Sequence, residues 1–293
     1  MVFPSSFFCR MIAFDLDGTL LQQHSVLSKK ARAMLEQAAG LGILPVPATG
    51  RMFTFLPPCL TELPFLRYAI TSNGAGVYDL LSGRCLYNNP IPPDRAAELV
   101  RFFIARDLWV ECYIQGQAWI DAATFEKGPA YYGIPESKRL FVTKSYRIEK
   151  DLPAFLKKEK KAVEKINLPF LPLSQRTELW DRMRAAGDVT PVSSVDDNME
   201  INRLGCHKGD GLRHLCEVLS IPLSQVFSMG DNGNDIELLQ IAGLSAAMKN
   251  GTPEAKRTAH LVTDFSCEED GAADCLQQLL QQQMTRKGSH NLP

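Results

Sequence analysis

The chain has 293 residues, of which 45% are hydrophobic and 22% charged, a composition typical of globular proteins and enough for two domains. Its 32 basic and 33 acidic residues nearly cancel, which argues against binding of nucleic acid or a membrane surface through bulk charge. The eight cysteines show neither a CxxC pair nor zinc-finger spacing, so we expect reduced thiols in a cytoplasmic protein without membrane spans.

The first segment predicts strands that alternate with a helix. "RMIAF" is an apolar strand pattern that ends at Asp15. Residues 27–42, "LSKKARAMLEQAAGLG", have apolar side chains at helical spacing behind Ser28, a good N-cap residue. "ILPVPATGR" and "RYAITSNGAGVYD" predict two more strands, the second ending at Asn73 and Gly74. This alternation implies a parallel sheet with helices on both faces.

The sequence pattern changes between residues 84 and 190. "LWVECYIQGQAWIDAA" alternates on both sides of a "QGQ" turn and predicts a hairpin. Residues 150–166, "KDLPAFLKKEKKAVEKI", and residues 174–187, "SQRTELWDRMRAAG", predict amphipathic helices, with the Lys/Glu run at 157–161 on a solvated face. We expect this segment to form a separate α+β unit.

After residue 190 the alternation of strands and helices returns. "HKGDGLRHLCEVLS" predicts a helix, and "QVFSMGDNGNDIELLQIAG" predicts a strand, a Gly/Asn-rich loop and a helix. "GLSAAMKNG" and "AHLVTD" predict short strands before a final helix in "AADCLQQLLQQQ". The predicted organisation is an α/β core of residues 1–83 and 191–293, interrupted by a cap of residues 84–190.

Four carboxylates follow predicted strands. Asp15 and Asp17 lie in "DLDGT", and Asp231 and Asp235 lie in "GDNGND". Ligands of open parallel sheets bind beyond the carboxyl ends of the strands, so these loops can meet in one crevice. Several ionised carboxylates in one place need a hard divalent cation, and the lack of a His/Cys cluster favours Mg²⁺ over zinc.

Other residues near these loops favour phosphate chemistry. Thr49 follows a strand and offers a hydroxyl group, and Lys208 begins a helix, where its ammonium and the helix dipole favour a dianion. Gly18, Gly50 and Gly230 let the backbone approach an anion closely. A cation and a lysine together can offset the repulsion between a phosphomonoester dianion and a carboxylate nucleophile.

These motifs, taken together and in order, resemble a known family. "DLDGT", "ATGR", the lysine of "HKGDGL" and "GDNGNDIELL" are similar to the four ordered motifs of the haloacid dehalogenase superfamily. "SNGA" and a cap inserted between the second and third motifs resemble its Cof-like sugar-phosphate phosphatase branch. The resemblance runs from about Met11 to "EEDGAADCL" and implies a Rossmann-like α/β core with an inserted α+β cap.

The resemblance also implies roles for the motif residues. Asp15 would be the nucleophile and a metal ligand, and Asp17 the general acid/base, with its backbone carbonyl on Mg²⁺. Thr49, Gly50 and Lys208 would hold the transferring phosphoryl group. The remaining implied roles are direct metal binding by Asp231, support of the metal by Asp235 through water or hydrogen bonds, and contact with substrate or phosphate by Asn234.

Two neighbouring residues stay ambiguous. Arg51 either braces its loop through a salt bridge or faces the substrate. Asn73 shapes its loop and can also reach the metal or the phosphate. Two groups of side chains are interpreted as packing or surface residues and not as sites: the histidines His207 and His214, and the cap aromatics Tyr113, Trp119, Tyr131, Tyr132 and Trp180.

The predicted function is a cytoplasmic Mg²⁺-dependent phosphatase that acts on small phosphorylated metabolites, with sugar phosphates expected, through an aspartyl-phosphate. A phosphomutase on the same core is an alternative, although the compact "GDNGND" loop fits hydrolases better. A catalytically silent sensor of a phosphorylated ligand is another, although every motif residue is retained. We expect a monomer or small homo-oligomer whose partner is the small-molecule substrate, not nucleic acid or a membrane.

Overall fold

The computed structural model describes residues 3–23, 25–136, 139, 145–193 and 197–290, with side chains described up to residue 286. Its strands are β1 (Met11–Phe14), β2 (Leu44–Pro47), β3 (Tyr68–Thr71), β4 (Gly76–Asp79), β5 (Cys85–Asn88), β6 (Glu111–Ile114), β7 (Gln117–Asp121), β8 (Arg147–Glu149), β9 (Lys165–Leu168), β10 (Val189–Val192), β11 (Met199–Arg203), β12 (Val226–Gly230), β13 (Leu244–Ala247) and β14 (Leu261–Val262). Its helices are α1 (Lys29–Gly40), α2 (Pro58–Thr61), α3 (Pro93–Ile104), α4 (Ala122–Tyr131), α5 (Leu152–Lys158), α6 (Leu173–Ala186), α7 (Lys208–Leu219), α8 (Ile236–Ile241), α9 (Pro253–Thr258) and α10 (Gly271–His290).

The core contains a parallel sheet in the order β14-β13-β12-β1-β2. Strand β1 lies between β12 and β2, and its four residues are fully buried, because both faces of the sheet carry helices. Helices α1 and α10 pack on one face, and α7 and α8 pack on the other. The predicted α/β core with helices on both faces is confirmed.

Helix α1 shows how local sequence sets the ends of an element. Its N-cap is Ser28, whose hydroxyl accepts a hydrogen bond from the N–H of Ala31. Ala31, Leu35 and Ala38 form its buried face. The helix predicted in residues 27–42 is therefore confirmed.

The strand predicted before Asn73 and Gly74 is part of a different sheet. Strands β3, β4 and β5 form an antiparallel sheet of their own, which meets the parallel sheet through a bridge between Ala48 and Ile70. The chain reverses at Asn73 and Gly74, both of which have positive φ. The turn predicted at Asn73 and Gly74 is present, but periodicity along one strand does not reveal which strand pairs with it.

The cap is built on a six-stranded sheet in the order β10-β11-β9-β6-β7-β8. Helices α3, α5 and α6 cover one face of this sheet with a separate apolar cluster. The predicted hairpin corresponds to β6 and β7, joined at Gln115 and Gly116, which both have positive φ. The other face of the sheet carries polar side chains toward the core.

Strand pairing differs from both predicted domain boundaries. A boundary between residues 190 and 191 cuts through β10 and separates β11 from its neighbours. Strand β11 pairs with both β10 and β9, so the cap sheet extends to Arg203. Likewise, β5 pairs with β4, and so it belongs with the core and not with residues 84–190.

Two other sequence predictions were wrong or incomplete. The helix predicted across residues 150–166 ends at Lys158, and residues 165–168 form the buried strand β9. Over so short a stretch, the apolar spacing fits both the helical and the strand period. Pairing with β6 and β11 determines that these residues form a strand. Helices α2, α3, α4 and α9 were not predicted. Within the described residues, no helix is both long enough and apolar enough to cross a membrane.

Candidate active site

Loops from distant parts of the chain meet at the carboxyl ends of the parallel strands. The Nζ atom of Lys208 lies 2.6 Å from Asp15 Oδ1 and 2.7 Å from Asp235 Oδ1. Lys208 and Asp235 are completely buried, and Asp15 is nearly so. Three of the predicted motifs therefore contact one another directly, across up to 193 residues of sequence.

The turn after β1 requires a glycine. The N–H of Asp15 donates a hydrogen bond of 3.0 Å to Met229 O on the neighbouring strand β12. This bond fixes the position of the residue that follows β1. Gly18 has a φ of +85°, and a Cβ atom there would lie 2.5 Å from Asp231 Oδ2. The "DLDGT" turn can approach the second acidic loop only because this position lacks a side chain.

The "GDNGND" loop is held by its own last carboxylate. Asp235 Oδ2 accepts hydrogen bonds from the N–H groups of Asp231 and Asn232, at 2.9 and 3.0 Å. Asp231 Oδ1 accepts a hydrogen bond of 2.9 Å from the hydroxyl of Thr19. These contacts orient Asp231 toward Asp15.

The start of helix α7 positions Lys208. His207 is the N-cap residue, and its Nδ1 accepts a hydrogen bond of 3.0 Å from the N–H of Asp210. Gly74, in the "SNGA" turn, has a φ of +96°, and a Cβ atom there would lie 2.0 Å from His207 O. The "SNGA" turn thus packs directly against the end of the helix that carries the lysine.

The candidate site contains more carboxylates than positively charged side chains. Asp15, Asp231 and Asp235 place carboxylate oxygens within 4.8 Å of one another, around one ammonium group. Burial lowers the pKa of Lys208, but the charges of Asp15 and Asp235 outweigh this and raise its pKa above the ordinary value. Burial and the neighbouring Asp235 raise the pKa of Asp231 to about 7, and burial raises the pKa of Asp15 well above its ordinary value.

This excess of carboxylate fits a hard divalent cation. Within the described chain, Asp15 Oδ2 and Asp231 Oδ2 accept no hydrogen bond, whereas both oxygens of Asp235 are engaged. Oxygen donors alone in a partly enclosed acidic site suit Mg²⁺. Asp15 and Asp231 would hold the ion, and Asp235 would hold the loop.

Asp17 points away from this cluster. Its carboxylate forms a two-point salt bridge with Arg51, with Nε–Oδ2 and Nη2–Oδ1 distances of 2.8 and 2.5 Å. The guanidinium also lies over the ring of Phe55. Of the two interpretations of Arg51, the salt bridge is the one that the structure contains, and its partner is the predicted general acid/base.

Thr49 and Gly50 lie where the sequence predicted a phosphate-binding loop. The Thr49 hydroxyl accepts the N–H of Arg51 at 3.1 Å, and its own hydrogen remains available to donate. Gly50 O accepts a hydrogen bond of 2.6 Å from Lys165 of the cap. Both residues line the cavity between core and cap.

A cavity of about 210 Å³ separates the core motifs from the cap sheet. Its core wall includes Asp15, Asp17, Gly18, Thr49, Gly50, Asp231 and Asn234. Its cap wall includes Tyr113, Lys165, Asn167, Asn198 and Glu200. Apart from Tyr113, which had been assigned to packing, the sequence interpretation missed these cap residues. The alternation in "KINL" and "MEIN" was the available signal, since alternate residues of a strand face opposite sides.

Asparagine side chains link the acidic loop to the cap. Asn234 Nδ2 donates to Asn73 Oδ1 at 3.2 Å, and Asn73 Nδ2 donates to Glu200 Oε2 at 2.6 Å. Asn73 therefore joins core and cap, a role that its turn-forming character did not indicate. Asn234, the residue predicted to contact substrate or phosphate, lies in the cavity wall with its amide nitrogen bound to Asn73.

Comparison with known proteins agrees with this arrangement. The family model described as haloacid dehalogenase-like hydrolase matches residues 12–276. The chain is similar to phosphatase YwpJ of Bacillus subtilis, with 27% identity over 92% of this chain and 100% of that protein. It is also similar to the HMP-PP phosphatase of Yersinia enterocolitica, with 30% identity over 92% and 95% of the two chains. The solved structure of a haloacid dehalogenase-like hydrolase from B. subtilis superposes with a TM-score of 0.78 at 25% identity, covering 92% and 99%.

Proposed function

Because the chain belongs to the haloacid dehalogenase-like hydrolases, we propose that it is a Mg²⁺-dependent phosphatase of small phosphorylated metabolites, with sugar phosphates as the expected substrates. The observation that supports this most strongly is the buried Lys208, bonded to both Asp15 and Asp235 beneath a cavity of metabolite size. The relatives named as phosphatases, one of them an HMP-PP phosphatase, point to the same reaction class.

The proposed chemistry is two in-line displacements at phosphorus. A carboxylate oxygen of Asp15 attacks the phosphorus and the bond to the leaving oxygen breaks. Asp17, which must first bind a proton from solvent, donates that proton to the leaving oxygen. Asp17 then takes a proton from water, whose oxygen attacks the phosphorus of phospho-Asp15 and releases phosphate. Thr49 and Lys208 hold the phosphoryl oxygens throughout. Asp15 and Asp231 would hold Mg²⁺, which would supply positive charge that offsets the phosphate dianion.

We also propose that the unit built on β6–β11 acts as a cap that reads the leaving group. Its polar wall faces the motif loops across the cavity, and Lys165 already contacts Gly50 of the core. Closure of such a unit excludes bulk water from the reacting phosphate.

A phosphate-release panel over many phosphomonoesters, with Mg²⁺ or with EDTA, tests the proposed function. We expect Mg²⁺-dependent release of inorganic phosphate from several small substrates and none with EDTA. A hexose 1-phosphate that yields the 6-phosphate without free phosphate would indicate the phosphomutase instead. Binding without any turnover would indicate the silent sensor.

The raised pKa of Asp231 predicts a pH-dependent effect of Mg²⁺ on stability. In the ion-free native state this carboxyl keeps its proton up to a pH of about 7, but the unfolded chain releases it near the ordinary value of 3.8. The native state binds more protons between these values, so the free energy of unfolding falls as the pH rises through this range. Mg²⁺ competes with that proton. We expect saturating Mg²⁺ to raise the melting temperature clearly more at about pH 8 than at about pH 5.

Thermal unfolding with and without Mg²⁺ at both pH values measures this effect. Asp231→Asn is the matched variant, and it is expected to lose most of the stabilisation by Mg²⁺ at the higher pH. Equal stabilisation at both pH values would contradict the assignment of Asp231 as a metal ligand.

The salt bridge to Asp17 predicts a dependence on the leaving group. Arg51→Ala removes the side chain that holds the proposed general acid, and protonation matters most for poor leaving groups such as alkyl alcohols. We expect kcat/KM to fall about tenfold or more for alkyl phosphates and by much less for p-nitrophenyl phosphate, whose leaving group needs no proton. The value of kcat/KM reports the first displacement, so slow hydrolysis of the phosphoenzyme does not obscure the comparison.

Arg67→Ala is the matched control for this variant. Arg67 forms a salt bridge with Asp79 and lies over the ring of Tyr68, as Arg51 does with Asp17 and Phe55, but it does not line the cavity. The control should leave the ratio of the two kcat/KM values unchanged. An equal loss on both substrates in Arg51→Ala would show that Arg51 does not act through Asp17.

A further inference from the structure

The cap wall of the cavity is polar, but its charges are already paired. Lys165 Nζ donates to Gly50 O at 2.6 Å, lies 3.1 Å from Glu200 Oε1 and sits over the ring of Tyr113. Glu200 Oε2 accepts a hydrogen bond from Asn73. The other cation in the described wall, Arg51, is paired with Asp17. The described lining therefore offers no unpaired positive charge for a second anionic group.

Asn167 differs from these neighbours because only the nitrogen of its side-chain amide is hydrogen-bonded to a described residue. Its Nδ2 donates to Glu111 Oε2 at 2.9 Å. Its Oδ1 accepts no hydrogen bond from any described residue, although the side chain is only 6% exposed and lines the cavity. This oxygen is not completely buried, and because Asn167 lines the cavity, a ligand there can donate a hydrogen bond to it.

Glu111 fixes which way this amide faces. This carboxylate is buried behind the cavity wall and also accepts hydrogen bonds from Trp109 Nε1, at 2.9 Å, and from the hydroxyl of Tyr146. Turning the Asn167 amide over would put its oxygen against a carboxylate oxygen, leaving two acceptors in contact. The nitrogen therefore stays on Glu111, and the oxygen is the atom that a ligand can meet.

We propose that Asn167, held in orientation by Glu111, is a specificity-determining residue that accepts a hydrogen bond from a hydroxyl group of the leaving group. The substrate class is then a phosphomonoester of a neutral polyhydroxylated molecule, and one with a second phosphate or a carboxylate is disfavoured. This inference rests on the proposed phosphatase function. Asn167 is assigned to recognition, and Glu111 is a positioning residue.

Paired substrates that differ by one hydroxyl test the assignment. The pairs are glycerol 1-phosphate with propane-1,2-diol 1-phosphate, ribose 5-phosphate with 2-deoxyribose 5-phosphate, and glucose 6-phosphate with each of its monodeoxy analogues. In the wild type we expect kcat/KM to favour the hydroxylated member of at least one pair by about tenfold, the size expected for one buried hydrogen bond. Asn167→Leu, similar in shape, should reduce that ratio to near unity. The ratio is measured within one preparation, so it does not depend on the folded fraction.

A second variant changes only the orientation of the Asn167 amide and leaves Asn167 itself in place. Glu111→Gln introduces an amide donor that can pair with Asn167 Oδ1, and the same ratio should fall. Glu164→Gln is the matched control: Glu164 is also a buried cap carboxylate, bonded to Ser72, Tyr78 and the N–H of Gly116, but it contacts neither Asn167 nor the cavity. That control should keep the wild-type ratio.

The possible outcomes distinguish failure of the Asn167 assignment from failure of the proposed phosphatase function. Phosphate release with a hydroxyl preference that survives both Asn167→Leu and Glu111→Gln overturns the assignment of Asn167 alone. Wild-type preference for fructose 1,6-bisphosphate over fructose 6-phosphate overturns the neutral substrate class. Release of no phosphate from any substrate overturns the proposed function, and the assignment with it.

Discussion

Asp15→Asn is expected to lower kcat by at least about 10⁴-fold on every substrate that the wild type hydrolyses. The amide is nearly isosteric and keeps an oxygen for Lys208, but it cannot attack phosphorus. It also removes one negative charge from a site with a surplus of carboxylates, so we expect the variant to remain folded. Phosphate release under saturating substrate, with a thermal unfolding scan, measures both expectations.

Asp79→Asn is the matched control for Asp15→Asn. Asp79 is also a core carboxylate, paired with Arg67 and not part of the cavity lining, so the control should turn over near the wild-type rate. Acid-quenched wild-type enzyme should carry the mass of one phosphoryl group on the peptide that contains Asp15. Turnover of Asp15→Asn within about tenfold of wild type, or the phosphoryl group on another peptide, would contradict the nucleophile assignment.

Lys208→Met is expected to affect both catalysis and stability. The substitution keeps an unbranched side chain of similar length but removes the ammonium that touches Asp15 and Asp235. The loss of this charge leaves buried carboxylates uncompensated, and we expect the free energy of unfolding in EDTA to fall by about 3 kcal/mol. Removal of the group that we propose holds the phosphoryl oxygens should lower kcat/KM by about 10³-fold. Chemical denaturation and initial-rate kinetics measure the two effects separately.

The control for Lys208→Met is Lys30→Met. Lys30 pairs with Asp274 at the surface of the core, where it is 39% exposed, and such exposed pairs contribute less than about 1 kcal/mol. If both lysine variants lose the same stability, the buried network does not depend on Lys208. If Lys208→Met retains wild-type kcat/KM, the lysine does not bind the phosphoryl group.

Local sequence was sufficient to predict most individual helices and strands of the parallel sheet and its covering layers. Ser28 caps α1, and the apolar run before Asp15 forms a fully buried strand, because capping and periodicity act over a few residues. The chain from Val163 to Leu168 shows the limit of this approach. A helical pattern and a strand pattern both fit it, and pairing with β6 and β11 determines that it is a strand.

The candidate site likewise has residues that the sequence identified and residues that it did not. Its core residues stand in motifs whose residue types and order identify the reaction class, and the structure brings Asp15, Lys208, Asp231 and Asp235 together. Two cap residues of the cavity, Lys165 and Asn167, stand in no motif. Lys165 lay in a stretch interpreted as helical, and the distant partner of Asn167, Glu111, lies 56 residues away.

By itself, the sequence determined the reaction class, the α/β core and the candidate residues of the core motifs, because these depend on short motifs whose chemistry tolerates few substitutions. The tertiary structure alone decided that Arg51 pairs with Asp17, that β11 belongs to the cap, and that Asn167 presents its oxygen to the cavity. Each of these depends on contacts between segments far apart in the chain, and the free energy of such contacts is set by packing and not by local propensity.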